Sequence, residues 1–168
     1  MRHFKHVGLS AATGLAALLV CSHPASASST TGHEPRPPKE EVFQLVAKQT
    51  QGSGFIDVDG SSGPSQGDEI VTTGDLFADA TAVGDYGQIC TLTRTAPGDE
   101  FDMQCAGSLA LAEGQITLDG RFTVTSAGPG DINFAITGGT GDYRTARGFV
   151  HAVNVSDTET QLTVHLIR

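Results

Sequence analysis

Eight short runs of β-type residues, at 42–48, 69–77, 88–95, 101–111, 115–124, 132–137, 149–155 and 161–167, leave this chain little choice but an all-β fold. The two longest alternate cleanly. Phe101, Met103, Cys105, Leu109 and Leu111 oppose Asp102, Gln104 and Ser108, while Ile116, Leu118, Phe122 and Val124 oppose Gln115, Thr117, Asp119, Arg121 and Thr123. A period of two belongs to a strand with one apolar and one polar face. Turn signals at Asp59-Gly60, Pro97-Gly98, Glu113-Gly114, Gly128-Pro129 and Asp157 separate the runs. No window holds the i, i+3, i+4, i+7 apolar spacing of a helix. Eight short strands suit a small closed antiparallel β-barrel, which leaves no open edge to pair with another chain. An open β-sandwich is the alternative.

The start of the chain is different. Arg2, His3, Lys5 and His6 precede an apolar run over 7–20, and Ala25-Ser26-Ala27 supplies a small-x-small cleavage signal, so residues 1–27 read as a signal peptide. The run is short for a membrane span. Lipid attachment at Cys21 is the poorer reading, because Val20 stands where a small residue is needed. The expectation is a secreted, extracellular protein without stable membrane insertion after cleavage. Residues 28–40, SSTTGHEPRPPKE, are polar and proline-rich and read as a flexible leader, with residues 41–168 forming one β-barrel domain.

The chain carries 10 Lys and Arg against 19 Asp and Glu; losing Arg2 and Lys5 with the signal peptide leaves 8 against 19, a formal charge of −11. Such a surface repels phosphate backbones, and no basic stripe with interleaved aromatics is present. Nucleic acid is excluded as a partner.

Cysteine placement tests the strand register. With Pro97-Gly98 as a tight turn, Ala96 lies opposite Asp99, and the same register sets Cys90 opposite Cys105. Facing cysteines in an exported protein oxidise. A Cys90–Cys105 disulfide is expected, contributing about 3 kcal/mol in the chain-entropy description.

The stretch over 135–150, AITGGTGDYRTARGFV, holds Gly138, Gly139 and Gly141, which mark a turn with close backbone contact. A glycine-rich turn after an apolar strand also opens dinucleotide-binding units. Here, however, Phe149, His151, Val153 and Val155 resume a period of two and no helix follows, so the nucleotide reading is set aside. No HxH or HExxH spacing points to a metal, and no Gly-x-Ser-x-Gly elbow points to a hydrolase. No cofactor and no metal are expected.

The motif GGTGDYRTARG, together with GDEIVTTGDLF (67–77), GQIC (87–90), PGDEF (97–101) and GQITLDG (114–120), resembles the signature of the allene oxide cyclase barrel family and its dirigent relatives. The resemblance implies an eight-stranded, lipocalin-like barrel and a homo-oligomer, a trimer as in plant relatives. Among the cyclases it implies a pocket that bends an unsaturated fatty-acid epoxide; among dirigent proteins it implies stereochemical control of a coupling reaction. It also places Cys90 in the pocket, in competition with the disulfide. Both groups carry a carboxylate on the first strand, where Gln44 stands here, with Val46 at the cyclases' asparagine position. Arg147 and Tyr143 occupy the motif's arginine and aromatic positions. The plain alternative for Arg147 is an ion pair with Asp142 or Asp131, and Asp142 is expected to cap the turn.

Alternation puts Arg94 on the face of Cys90 near a strand end, where it would stand at the mouth and grip a carboxylate or enolate. His151 shares a face with Phe149 and Val153, inside the barrel or against a partner subunit. The catalytic candidates are therefore Arg94, His151, Arg147 and Tyr143. The expected ligand-binding residues are Gln44, Ile70, Thr72, Leu92, Phe101, Met103, Leu118 and Phe122. An apolar pocket without an ionised catalyst suits reactions whose barrier falls when a reactive molecule is held folded, an effect worth about 7–11 kcal/mol at best. The expected function is that of an exported barrel binding a hydrophobic small molecule, a cofactor-independent cyclase or isomerase of a polyketide- or lipid-like substrate. Its rival is a non-catalytic dirigent-like or lipocalin-like protein that directs stereochemistry or carries a ligand.

Overall fold

The computed structural model describes residues 39–168. The expected signal peptide and most of the expected leader lie outside the described residues. From Glu40 the chain runs through β1 (Glu40–Gly52), β2 (Glu69–Ala78), β3 (Thr81–Ala96), β4 (Glu100–Leu111), β5 (Gly114–Val124), β6 (Ile132–Gly139), β7 (Arg147–Asn154) and β8 (Glu159–Ile167). Each strand pairs antiparallel with the next and β8 pairs back onto β1, so the sheet closes into a barrel. The expected all-β, eight-stranded antiparallel architecture is what the chain adopts.

Closure follows from the one-sided apolar pattern. Leu45 and Ala47 of β1, Leu76 of β2, Leu109 of β4, Ile116 of β5, Ile136 of β6, Val150 of β7 and Val164 of β8 are all buried on the inner side. An eight-stranded barrel has an interior just wide enough to be filled by side chains or to hold one small ligand. Which of the two occurs depends on side-chain size at each level.

One end is sealed. The connections β2–β3, β4–β5 and β6–β7 lie there, and a single turn of 3-10 helix, Gly141–Tyr143, folds Tyr143 and Ala146 under the strands. This is the work of the GGTG motif. A Cβ on Gly139 would stand 2.1 Å from the carbonyl oxygen of Gln115, and Gly141 has φ +58° with its Cβ position 2.2 Å from the oxygen of Glu113. Only glycine admits so close a crossing of two backbones.

At the other end the β3–β4 turn is one residue longer than expected. Gly98 and Asp99 both have positive φ, and Ala96 pairs with Glu100 rather than with Asp99. A bulge between Leu92 and Arg94 absorbs the extra residue, so Cys90 still faces Cys105. The two are joined by a disulfide with Cα atoms 4.0 Å apart. The bulge also reverses the parity of everything between it and the turn.

Candidate functional site

Above the sealed end the interior is hollow. A cavity of about 620 Å³ opens toward the β7–β8 turn at Ser156, Asp157 and Thr158. It exists because the inward residues at this level are small or polar: Ala47 and Gln49 on β1, Thr72 on β2, Gln88 on β3, Ala152 on β7 and Thr160 on β8. Across from them Leu109, Leu118, Phe122, Ile132, Phe134 and Leu162 make an apolar wall, with Phe122 and Phe134 edge to face at 6.3 Å. Tyr86 of β3 completes the lining, and burial raises its phenol pKa, so the hydroxyl stays protonated at neutral pH. The volume lies within the usual range for small-molecule sites.

Of the expected ligand-binding residues, Thr72, Leu118 and Phe122 line this cavity. Leu92 and Met103 are fully buried in the core beside the disulfide, Ile70 packs against the same core, and Phe101 stacks edge to face on Phe55 at 5.7 Å. These four fill one side of the barrel's open end instead of bordering the hollow. Gln44 is a correction: it is exposed on the outer face, where Gln161 donates to its side-chain oxygen, because Leu45 and Ala47 take the inward parity of β1. The position at which the resemblance implies a carboxylate therefore lies on the outside of the barrel.

Arg94 is a second correction. The Leu92/Arg94 bulge turns it outward, and there it pairs with Asp102, to which Arg121 and Thr123 also donate. Arg94 also meets Glu100 at 2.6 Å. Asp102 is fully buried on the outer wall, and its bonds from Arg94, then Thr123, hold its pKa well below the usual carboxylate range. The group is a structural clasp and does not stand at the mouth to meet a ligand.

His151 also faces outward, since Val150 and Ala152 take the inner parity; its Nε2 lies 3.6 Å from Asp131. Phe149 on the same face stacks on His165 at 4.3 Å. Arg147 is exposed and forms no salt bridge among the described residues, with Asp142 or Asp131 included. Tyr143 is buried at the sealed end, donating to Glu113 at 3.4 Å beneath the Arg168 guanidinium. Asp142 makes no side-chain cap; its backbone amide donates to Glu113. The structure therefore gathers none of the four catalytic candidates at the cavity.

The cavity residues missed from sequence include Gln49, Tyr86, Gln88 and Phe134, whereas Leu109 lies on the apolar face that alternation assigned to the interior. Tyr86 was hidden because β3 begins at Thr81, after an Asp79-Ala80 turn with positive φ at both residues and no glycine to announce it. Away from the cavity, the β1–β2 loop brings carboxylate oxygens of Asp57, Asp59 and Asp68 within 4.8 Å of one another. Asp68 is spent on the amides of Ser65 and Val58, and Asp57 on those of Asp59 and Gly60, so these acids staple the loop.

The profile of the allene oxide cyclase barrel like domain matches residues 43–166. Among solved structures, one described as pyocyanin demethylase aligns with TM-score 0.63 and 26% identity over 75% of this chain and 99% of its own. The Diels Alderase AbmU from Streptomyces koyangensis aligns with TM-score 0.64 and 14% identity over 79% of this chain and 69% of its own. A pterocarpan synthase dirigent protein aligns with TM-score 0.59 and 19% identity over 84% and 99%. The last two show likeness of fold alone. A search of curated protein sequences gives no match. With a closed eight-stranded barrel, a glycine-sealed end and a profile match spanning nearly all of the strands, the chain belongs to the allene oxide cyclase barrel like family.

Proposed function

We propose that the protein is an exported barrel that binds a hydrophobic small molecule and acts as a cofactor-independent cyclase or isomerase of a polyketide- or lipid-like substrate, by shape control. The observation that carries this reading is the 620 Å³ hollow, walled on one side by Leu109, Leu118, Phe122 and Phe134 and open at one end. A rigid barrel wall holds a flexible substrate in one fold, which converts chain entropy into rate without an ionised catalyst. The fold neighbours named as Diels Alderases support cycloaddition as the reaction type. The disulfide supports an oxidising, extracytoplasmic setting.

The second reading, a dirigent-like or lipocalin-like binder, is favoured by the lining itself: its one carboxylate, Asp157, sits at the rim and no cation faces the hollow among the described residues. Incubation with linear polyene substrates bearing a diene and a dienophile, and with polyunsaturated epoxides, separates the two. Turnover with a fixed product chirality, resolved by chiral chromatography, supports the enzyme. Saturable binding with products identical to the uncatalysed mixture supports the carrier.

A further inference from the structure

The cavity wall is divided in two. Gln49, Thr72, Tyr86 and Gln88 are contiguous on β1, β2 and β3, with Thr72 directly opposite Gln88 in the ladder. The side chains of these four make no hydrogen bond to another described residue, although the Thr73 hydroxyl donates to the Tyr86 backbone carbonyl, and the Thr72 hydroxyl oxygen is buried without a partner. Gln49, Tyr86 and Gln88 are only partly buried and border the hollow, so their polar ends are free to bond to whatever occupies it. The facing wall is hydrocarbon. The mouth has a sign as well: no Lys or Arg is among the described residues that line the hollow, and Lys48, outside it on β1, is ion-paired to Glu159. Asp157, the one carboxylate of the rim, forms no salt bridge among the described residues.

Resting on the cavity as the functional site, we propose that its ligand is neutral and two-faced: a ketone, lactone, amide or phenol edge bonds to Tyr86 and Gln88, the apolar body lies on Phe122 and Phe134, and carboxylates are turned away. A protonated Tyr86 supplies a donor for a carbonyl, and Gln88 supplies donor and acceptor. A carboxylate entering here would lose water, meet no cation among the described residues of the lining and pass Asp157 at the rim, which opposes it twice. Fatty acids are thereby ranked below neutral polyketide-like molecules.

The test uses the purified protein at neutral pH with two fluorescent probes that differ in one group. These are the naphthalene ketone Prodan and the naphthoic acid carrying the same dimethylamino substituent. The ketone should bind at least about tenfold more tightly than the acid, since the unpaired charge is the difference between them. Tyr86→Phe should weaken the ketone by about threefold to tenfold and move the emission of the bound probe to the blue, as a lost hydrogen bond requires. Gln88→Leu serves as the second variant should Tyr86→Phe fold poorly. Equal affinity for ketone and acid, or bound emission unmoved in both variants, overturns the inference and leaves the cavity reading standing. If neither probe binds, or if binding is unmoved by Leu118→Trp together with Ala152→Phe, which narrow the hollow from two sides, the cavity itself is not the site and both readings fall.

Discussion

Asp102 lies fully buried on the outer wall of the barrel beneath Arg94, which reaches it through both Nε and Nη2, the latter at 3.2 Å. Thr123 donates to the same carboxylate at 2.6 Å and Arg121 joins it from β5. Three strands, β3, β4 and β5, are thus tied at one point outside the core.

The clasp makes an acid-sensitive contribution. The bonds from Arg94 and Thr123 depress the pKa of Asp102 in the folded state. A group with a depressed folded pKa contributes stability that is fully present above its unfolded value, about 3.9, and that is lost as pH falls from there through the folded value. Urea unfolding followed by circular dichroism should therefore show a decline below about pH 4 that is shallower in Asp102→Asn, which should also be less stable at neutral pH. Parallel profiles for the two proteins would deny Asp102 this role.

Removing the disulfide tests the strength of the other tie between β3 and β4. The paired substitution Cys90→Ala with Cys105→Ala should cost about 3 kcal/mol and lower Tm by roughly 10 °C in calorimetry. A change of less than about 1 kcal/mol would mean that residual pairing in the unfolded chain already holds this hairpin together.

Gly139→Ala should cost at least about 3 kcal/mol or prevent folding, because its Cβ position is 2.1 Å from the Gln115 oxygen and 2.8 Å from that of Tyr143. Both obstacles are backbone and cannot swing aside. Gly87→Ala is the control: nothing lies within 4 Å of its Cβ position, and the effect should stay within about 0.5 kcal/mol. Chemical denaturation of the two variants side by side checks the contrast.

A carboxylate restored at the aligned position of related barrels should do nothing. Gln44→Glu places the charge on the outer face, so Prodan affinity should change by less than about twofold, as for other surface substitutions. Gln49→Glu, in the cavity wall, should alter it by about threefold or more, since there the charge must be desolvated. Titration of both variants decides whether β1 has the register described.

Much of this architecture was legible in the residues. Alternation in β4 and β5 is strict, and it assigns Cys105 and Phe122 to the inner side, where they lie. The Cys90–Cys105 pairing was also readable, although the assumed two-residue turn is longer and the Thr93 bulge makes up the difference. The same bulge defeated the placement of Arg94. For Gln44 and His151 the sequence offered a face but not its sign, because β1 and β7 carry apolar residues on both parities: Val42 and Val46 against Phe43 and Leu45, and Phe149 and Val153 against Val150 and Ala152.

By itself, then, the amino-acid order determined that eight strands form and that the glycine-rich stretch makes a close backbone turn, since strand period and φ freedom are local properties. Closure of the sheet, and the seating of Gly139 and Gly141 against Gln115 and Glu113, came with the tertiary structure. Tertiary structure alone decided that the interior is hollow and which side chains border it. A cavity is the space left between strands distant along the chain, and its polar strip on β1–β3 and its apolar wall on β4–β6 face each other only after closure.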